Sequence, residues 1–316
     1  MSLDFESLRN IRAANPGKLA EIYSARKRRD VIQGDGRLFI IAADHPARNA
    51  LSVRNNPRAM ENRYDLIERL ATALSRPGVD GVLGTPDIID DLALLGCLDD
   101  KLVVGSLNRG GLRGASFEMD DRITGYDIDG IVRDQLDFAK MLNRVNLGDA
   151  GTANMLEYSH HAVNAAAAAK LPIMLEPFMS EWVDGKIRND LSTDAVIDSI
   201  SIANGLGNSS AYTWMKLPVV ENMARVMEST TLPTLLLGGD PVGDPKEIFD
   251  SWAKALVLPG VRGLVVGRSL LYPQDGNVAV AIDTAVKLAP IPKFCVRLAC
   301  TPHKGNTTIC VASAIT

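Results

Sequence analysis

Leu235-Leu236-Leu237-Gly238-Gly239-Asp240 and Leu264-Val265-Val266-Gly267-Arg268-Ser269 are two short aliphatic runs, each breaking directly into glycine. Runs of this length and composition suit strands buried on both faces. Glycine lets the chain turn sharply and lets a ligand approach its N–H groups. One Gly-Gly after a strand says little, because turns use glycine everywhere. Two such turns on neighbouring strands, with Arg268 beside one of them, suit a phosphate dianion. In barrels of alternating strands and helices, the phosphate site is frequently built at the last two strands.

Upstream, short Val/Ile/Leu runs alternate with longer segments of helical spacing, the pattern of parallel strands joined by crossover helices. Strands are expected near Leu38–Asp44, Gly81–Gly84, Leu102–Ser106, Arg144–Leu147, Ile173–Glu176, Thr213–Leu217, Thr234–Leu237 and Gly263–Val266. Helices are expected between them, among them Arg63–Ser75, Ile131–Leu142, Asn154–Ala169, Ala195–Leu206, Val220–Met227 and Lys246–Leu256, with another at Val278–Leu288. Eight such units over about 250 residues predict a (β/α)8 TIM barrel. A doubly wound open sheet is the alternative, but it would carry a Gly-rich fingerprint after its first strand. This chain has Asp44-His45-Pro46 there.

Residues 1–34 read as a charged helical extension, 35–290 as the barrel and 291–316 as an atypical tail. Within that tail Phe294–Cys300 fits neither an amphipathic helix nor a barrel strand. The basic run Ala25-Arg26-Lys27-Arg28-Arg29 reads as a solvated helix face.

The chain has 316 residues, 46% of them hydrophobic, enough for one large domain with a substantial core. Its formal charge of −4 gives no reason to expect nucleic acid or an anionic membrane as partner. No stretch is long and apolar enough to span a bilayer, and Met1 to Ala20 is too mixed for a signal peptide, so a cytoplasmic location is expected. Cys97, Cys295, Cys300 and Cys310 match neither a zinc knuckle nor a redox pair, and no histidine–carboxylate set has ligand spacing. No metal and no cofactor are expected.

Lys216 stands in the apolar run Ala211-Tyr212-Thr213-Trp214-Met215-Lys216-Leu217-Pro218. A lysine held away from water ionises less readily, and a neutral amine attacks carbonyls. A lysine at a strand mouth could equally snorkel into solvent. Its companions argue for chemistry, because the rim of such a barrel gathers the groups at the C-terminal ends of its strands. That rim offers Asp44 and His45, then Asn108-Arg109-Gly110-Gly111, Arg144 and Asn146, Glu176, Lys216, Gly238-Gly239 and Gly267-Arg268. Each has a plainer reading. Asp44 could cap the next helix, Glu176 could be an ordinary ion-pair partner, and Arg109 and Arg144 could only stabilise the rim. His45, Asn154, His160 and His161 read as structural.

In their order along the chain, Ala42-Ala43-Asp44-His45, Lys216, Gly238-Gly239 and Gly267-Arg268-Ser269 resemble the class I aldolases of the deoxyribose-phosphate aldolase superfamily. The branch is that of bacterial tagatose-bisphosphate and archaeal fructose-bisphosphate aldolases, and the resemblance covers about Leu38 to Leu288. A narrower likeness is to an actinobacterial aldolase-like group associated with inositol breakdown. The resemblance implies Lys216 as the Schiff-base lysine, with Asp44 and Glu176 as proton-transfer groups. It implies Gly238, Gly239, Gly267 and Arg268 as the phosphate site; Arg109, Arg144 and Asn146, read from the rim itself, are further substrate-binding candidates, the arginines for a substrate carboxylate. Strand four departs from it, presenting Arg144 and Asn146 where relatives have a lysine.

The implied activity is cleavage of a phosphorylated keto-acid or ketose. The inositol likeness points to 6-phospho-5-dehydro-2-deoxy-D-gluconate, split into dihydroxyacetone phosphate and malonate semialdehyde. Alternatives are a deoxyribose-phosphate or fructose/tagatose-bisphosphate aldolase, an isomerase or epimerase using the same phosphate site, and a non-catalytic sugar-phosphate-binding barrel. By analogy with relatives, a homo-oligomer is expected.

Overall fold

The computed structural model describes residues 3–239, 244–288, 298–301 and 309–312. Two helices come first, α1 (Phe5–Ala14) and α2 (Lys18–Ala25). Nine strands then make the principal sheet: β1 (Leu38–Ala42), β2 (Gly81–Gly84), β3 (Leu102–Ser106), β4 (Phe138–Val145), β5 (Ile173–Val183), β6 (Lys186–Asn189), β7 (Thr213–Pro218), β8 (Thr234–Leu237) and β9 (Val261–Val266). All but β6 run parallel. β1 bonds both β2 and β9, and β4 bonds β5, so the eight parallel strands close on themselves.

Helices α3 (Arg63–Leu74), α4 (Pro86–Leu94), α5 (Ile128–Arg133), α6 (Gly151–Ala168), α7 (Thr193–Asn204), α8 (Met223–Met227), α9 (Pro245–Leu256), α10 (Arg268–Leu271) and α11 (Val278–Leu288) lie between and after the strands. This is the (β/α)8 barrel with an N-terminal helical extension that the sequence predicts. Among the described residues no helix is long and apolar enough to cross a membrane.

Two short strands, β10 (Leu298–Thr301) and β11 (Ile309–Ala312), pair antiparallel within the expected tail. The rest of that tail, with Cys295, lies outside the described residues, as does Asp240.

The fourth strand corrects the sequence reading. Expected at Arg144–Leu147 behind a helix over Ile131–Leu142, it occupies Phe138–Val145, and the helix before it ends at Arg133. Gln135, with φ 55°, turns the chain between the two. The misreading has a physical source. Lys140, Asn143 and Arg144 break the apolar run that marks a buried strand, and their spacing imitates a helix face.

With the strand in place, period-two alternation sorts the barrel interior. Phe138, Met174 and Val265 point inward with Leu38, Ile40, Leu83, Leu102, Val104 and Leu235, forming a dry inner cluster against which Trp214 packs. The Phe138 and Trp214 rings meet edge to face at 5.3 Å. Two residues further along the same strands stand Lys140, Glu176 and Lys216. Each charged side chain is therefore carried one layer above an apolar one, toward the C-terminal mouth. The alternate residues, including Ile41, Val82, Val103, Met141, Leu175, Met215 and Leu236, belong to the larger core that also takes in the helices.

The basic run is not a solvated helix face. α2 ends at Ala25, and the residues beyond it pass under the N-terminal end of the barrel. Arg26 and Arg28 both pair with Asp137, and Arg29 pairs with Asp80. Arg26 and Asp137 retain only 2% and 1% of their side-chain exposure. The same two carboxylates accept backbone N–H groups of barrel strands, Asp137 from Val103 and Asp80 from Phe39. Val31 packs onto the inner cluster. The extension thus straps the floor of the barrel.

β5 also runs further than expected. It continues past Glu176 to Val183 and folds back through Asp184-Gly185 into β6. Both turn residues have positive φ, 51° and 70°, the geometry of a two-residue hairpin turn that Asp-Gly favours.

Candidate active site

Four buried ionisable side chains alternate in sign across the barrel mouth. Lys140 Nζ lies 2.9 Å from Asp44 Oδ2 and 2.8 Å from Glu176 Oε2, and Lys216 Nζ lies 2.8 Å from Glu176 Oε1. The residues come from four places, the end of β1, then β4, β5 and β7, and retain 9%, 1%, 6% and 5% of their exposure. Closure of the barrel is what brings them together. The structure therefore unites Asp44, Glu176 and Lys216, and adds Lys140, which the sequence reading placed in a helix. The fourth strand thus carries a lysine, where the sequence reading found only Arg144 and Asn146. The signal of Lys140 was the one used for Lys216, a lysine inside an apolar run.

The two lysines differ electrostatically. Burial pushes the Lys216 pKa down; Glu176 opposes this, the charge on Lys140 adds to it, and the net result is a lowered value. Burial pushes Lys140 down as well, but Asp44 and Glu176 on either side outweigh it and leave its pKa raised. Of the two, Lys140 is held more firmly as a cation and Lys216 gives up its proton more readily. Burial would raise both carboxyls, yet the lysines, Lys140 foremost, hold Asp44 and Glu176 below the usual carboxylate range. Burial, then Arg268, pushes His45 well below its ordinary value, so its ring is neutral.

At the β8–β9 end, Gly267 shows why no side chain is possible there. A Cβ on it would sit 2.3 Å from the Ala42 carbonyl oxygen and 3.3 Å from the His45 ring. The next residue, Arg268, is buried at the start of α10. Gly238 and Gly239 follow β8, so the four expected phosphate-site residues share one side of the mouth.

The remaining predicted residues are engaged with the protein. Arg144 pairs with buried Glu118 at 2.7 Å. Arg109 is exposed, and its guanidinium donates to the Ala47 carbonyl across the mouth. Asn146 lies beyond β4, where its Oδ1 accepts the Gly148 N–H in a turn leading to α6. Glu118 and Asp121 were not read from the sequence, because their loop has no periodicity to place them. Asp121 Oδ2 accepts the N–H groups of Gly110 and Gly111, both at 2.8 Å. Among the described residues no His, Cys, Asp and Glu side chains gather as a metal-ligand group.

The fold and this row of charges define a (β/α)8 barrel with a lysine–carboxylate centre at its C-terminal mouth. The chain belongs to the Cgl0159-like family, whose model matches residues 36–286. The crystal structure of Cgl0159 from Corynebacterium glutamicum is 69% identical, covers 90% of this chain and 96% of its own, and superposes with a TM-score of 0.88. Two more distant structures share the fold. A Schiff-base-forming fructose-1,6-bisphosphate aldolase is 17% identical, with a TM-score of 0.59 and coverage of 86% and 100%. An archaeal fructose-1,6-bisphosphate aldolase, whose catalytic lysine carries the carbinolamine intermediate, is 19% identical, with a TM-score of 0.58 and coverage of 86% and 99%. No curated protein matches the sequence.

Proposed function

We propose that this protein is a class I aldolase that cleaves a phosphorylated keto-acid or ketose through a Schiff base on Lys216. The supporting observation is the pairing of a buried lysine of lowered pKa with a second lysine kept charged beside it. The aldolases that share its fold are described as forming such lysine adducts.

Neutral Lys216 attacks the substrate ketone, forming the nitrogen–carbon bond of a carbinolamine. The ketone oxygen takes one proton from solvent to become a hydroxyl, and Glu176, 2.8 Å from Lys216 Nζ, takes up the amine proton and returns it to that hydroxyl as it departs. Water leaves and an iminium remains. The charged Lys140 stabilises the oxygen of the carbinolamine as it gains electron density. The iminium then draws the electrons of the breaking carbon–carbon bond into an enamine, while Asp44 or Glu176 accepts the proton of the hydroxyl that becomes the aldehyde. The glycines after β8 and β9, with Arg268, hold the phosphate away from the reacting bond and orient the ketone. The first substrate to assay is 6-phospho-5-dehydro-2-deoxy-D-gluconate, followed by deoxyribose phosphate and the ketose bisphosphates.

Borohydride trapping with dihydroxyacetone phosphate tests the reading. A reduced adduct mapped to Lys216 by mass spectrometry is expected, and none in Lys216→Met. An adduct on Lys140 would reverse the two lysine roles. The absence of an adduct with dihydroxyacetone phosphate and with each of these carbonyl substrates would refute the mechanism.

A further inference from the structure

Arg48 stands at the same mouth, ending the 3-10 turn Pro46–Arg48 that follows Asp44-His45. Its backbone is fixed, since its carbonyl accepts the Arg113 N–H at 3.0 Å. Among the described residues, however, its guanidinium has no carboxylate partner. Arg48 Cδ lies 3.7 Å from where a Cβ on Gly110 would be, and Arg144 Nη1 lies 2.5 Å from the same point on Gly111. Two arginines from distant parts of the chain thus pack under consecutive residues of one Gly-Gly turn. Both glycines have positive φ, 77° and 81°, and the turn is pinned by Asp121.

The nearby carboxylates are already committed, Glu118 to Arg144 and Asp121 to the two glycine N–H groups. After burial, the charge on Arg48 is the strongest influence pushing down the Arg144 pKa. The charge on Arg48 repels that on buried Arg144, and an anion settling between the two guanidiniums lessens that repulsion. Arg48 follows β1, the neighbour of β9, but its side chain reaches Gly110 beyond β3, and Arg144 stands on β4, whereas Gly238 and Gly239 follow β8 and Gly267 follows β9.

We propose that Arg48, with Arg144 beside it, is a second anion-binding point, so that the substrate carries a charged group at each end. One end is the phosphate held at β8 and β9. The other is a carboxylate or a second phosphate held by Arg48. The proposal rests on reading the mouth as a sugar-phosphate site, but not on imine formation.

Calorimetry on the full chain with three ligands that have no ketone tests it: sorbitol 6-phosphate, 6-phosphogluconate and a hexitol 1,6-bisphosphate. The wild type should bind at least one of the two-ended ligands about tenfold more tightly than sorbitol 6-phosphate, the value of one charged hydrogen bond. Arg48→Gln should lose that advantage while binding sorbitol 6-phosphate as before. Arg48→Lys should keep part of it, since a point charge replaces a fork. Whichever two-ended ligand gains identifies the distal group.

No advantage in the wild type would overturn the proposal, as would an advantage that survives Arg48→Gln or an equal loss for all three ligands. If thermal melting shows Arg48→Gln unfolded, Arg48→Lys decides, with selective loss expected and uniform loss refuting. A failed borohydride trap leaves these readings intact, and a successful trap cannot rescue them.

Discussion

Replacing Lys140 by methionine separates the firmer cation from the nucleophile. The two ammonium nitrogens each lie 2.8 Å from a different oxygen of Glu176. That geometry puts them about 6 Å apart, and at an effective dielectric of about 20 two unit charges at that distance repel by about 3 kcal/mol. In the variant the repulsion is gone and Glu176 pairs with Lys216 alone. Both changes favour the charged form of Lys216, so its pKa should rise by about 2 units. The rate of adduct formation with dihydroxyacetone phosphate and borohydride, measured from pH 6 to 10, reads this directly. The acid limb of the profile should move alkaline by about 2 units, with a fall of about 100-fold near neutrality that narrows at high pH to the part due to lost stabilisation of the carbinolamine oxygen. A uniform fall at every pH, or a limb that does not move, would refute the electrostatic division between the lysines. Melting curves run alongside establish that the variant is folded.

Three other outcomes follow from the same contacts. Lys216 has a folded pKa below its ordinary 10.5, so between the two values the unfolded chain holds more protons and folded stability rises with pH. The advantage of wild type over Lys216→Met, measured by urea midpoints at pH 7 and pH 10, should therefore grow with pH; a shrinking advantage would contradict the lowered pKa. Asp137→Asn leaves buried Arg26 without its counter-charge and should cost about 3–5 kcal/mol. The expected sign is a lower melting temperature with adduct formation at Lys216 retained, and an unchanged melting temperature would contradict the strap. Gly267→Ala forces a methyl against the Ala42 carbonyl, so the β9 turn must shift. Weaker binding of inorganic phosphate by calorimetry is expected, and unaltered binding would detach Gly267 from the phosphate site.

The barrel was legible because seven of its eight strands contain a short, mainly apolar run near where a polar or glycine residue begins. β4 was not, since its inward face carries Lys140 and Arg144 and its outward Asn143 bonds to Ser159 on α6. A strand built to hold charges inside a barrel loses the apolar pattern by which strands are recognised. Asp44, Glu176 and Lys216 could be named from strand ends, but their common row depends on closure, which pairs residues far apart in the chain. The arginine run was misread for a related reason. Its partners Asp80 and Asp137 lie at strand starts, and nothing local to Arg26-Lys27-Arg28-Arg29 marks them as paired. The Asp184-Gly185 hairpin did carry a local sign, a two-residue turn between β-prone segments.

The floor strap sets the order in which the molecule can be completed. Arg26 leaves the ribosome early, yet Asp137 follows it by 111 residues, and the strap has no seat until β4 stands beside β3. The strap therefore docks in full only after the first four strands are in place. The family model begins at residue 36, downstream of every arginine in the strap. A chain begun there would keep the whole mouth and its chemistry but leave Asp137 buried without its cations. The residues that the family model matches thus leave out the arginines that neutralise Asp137.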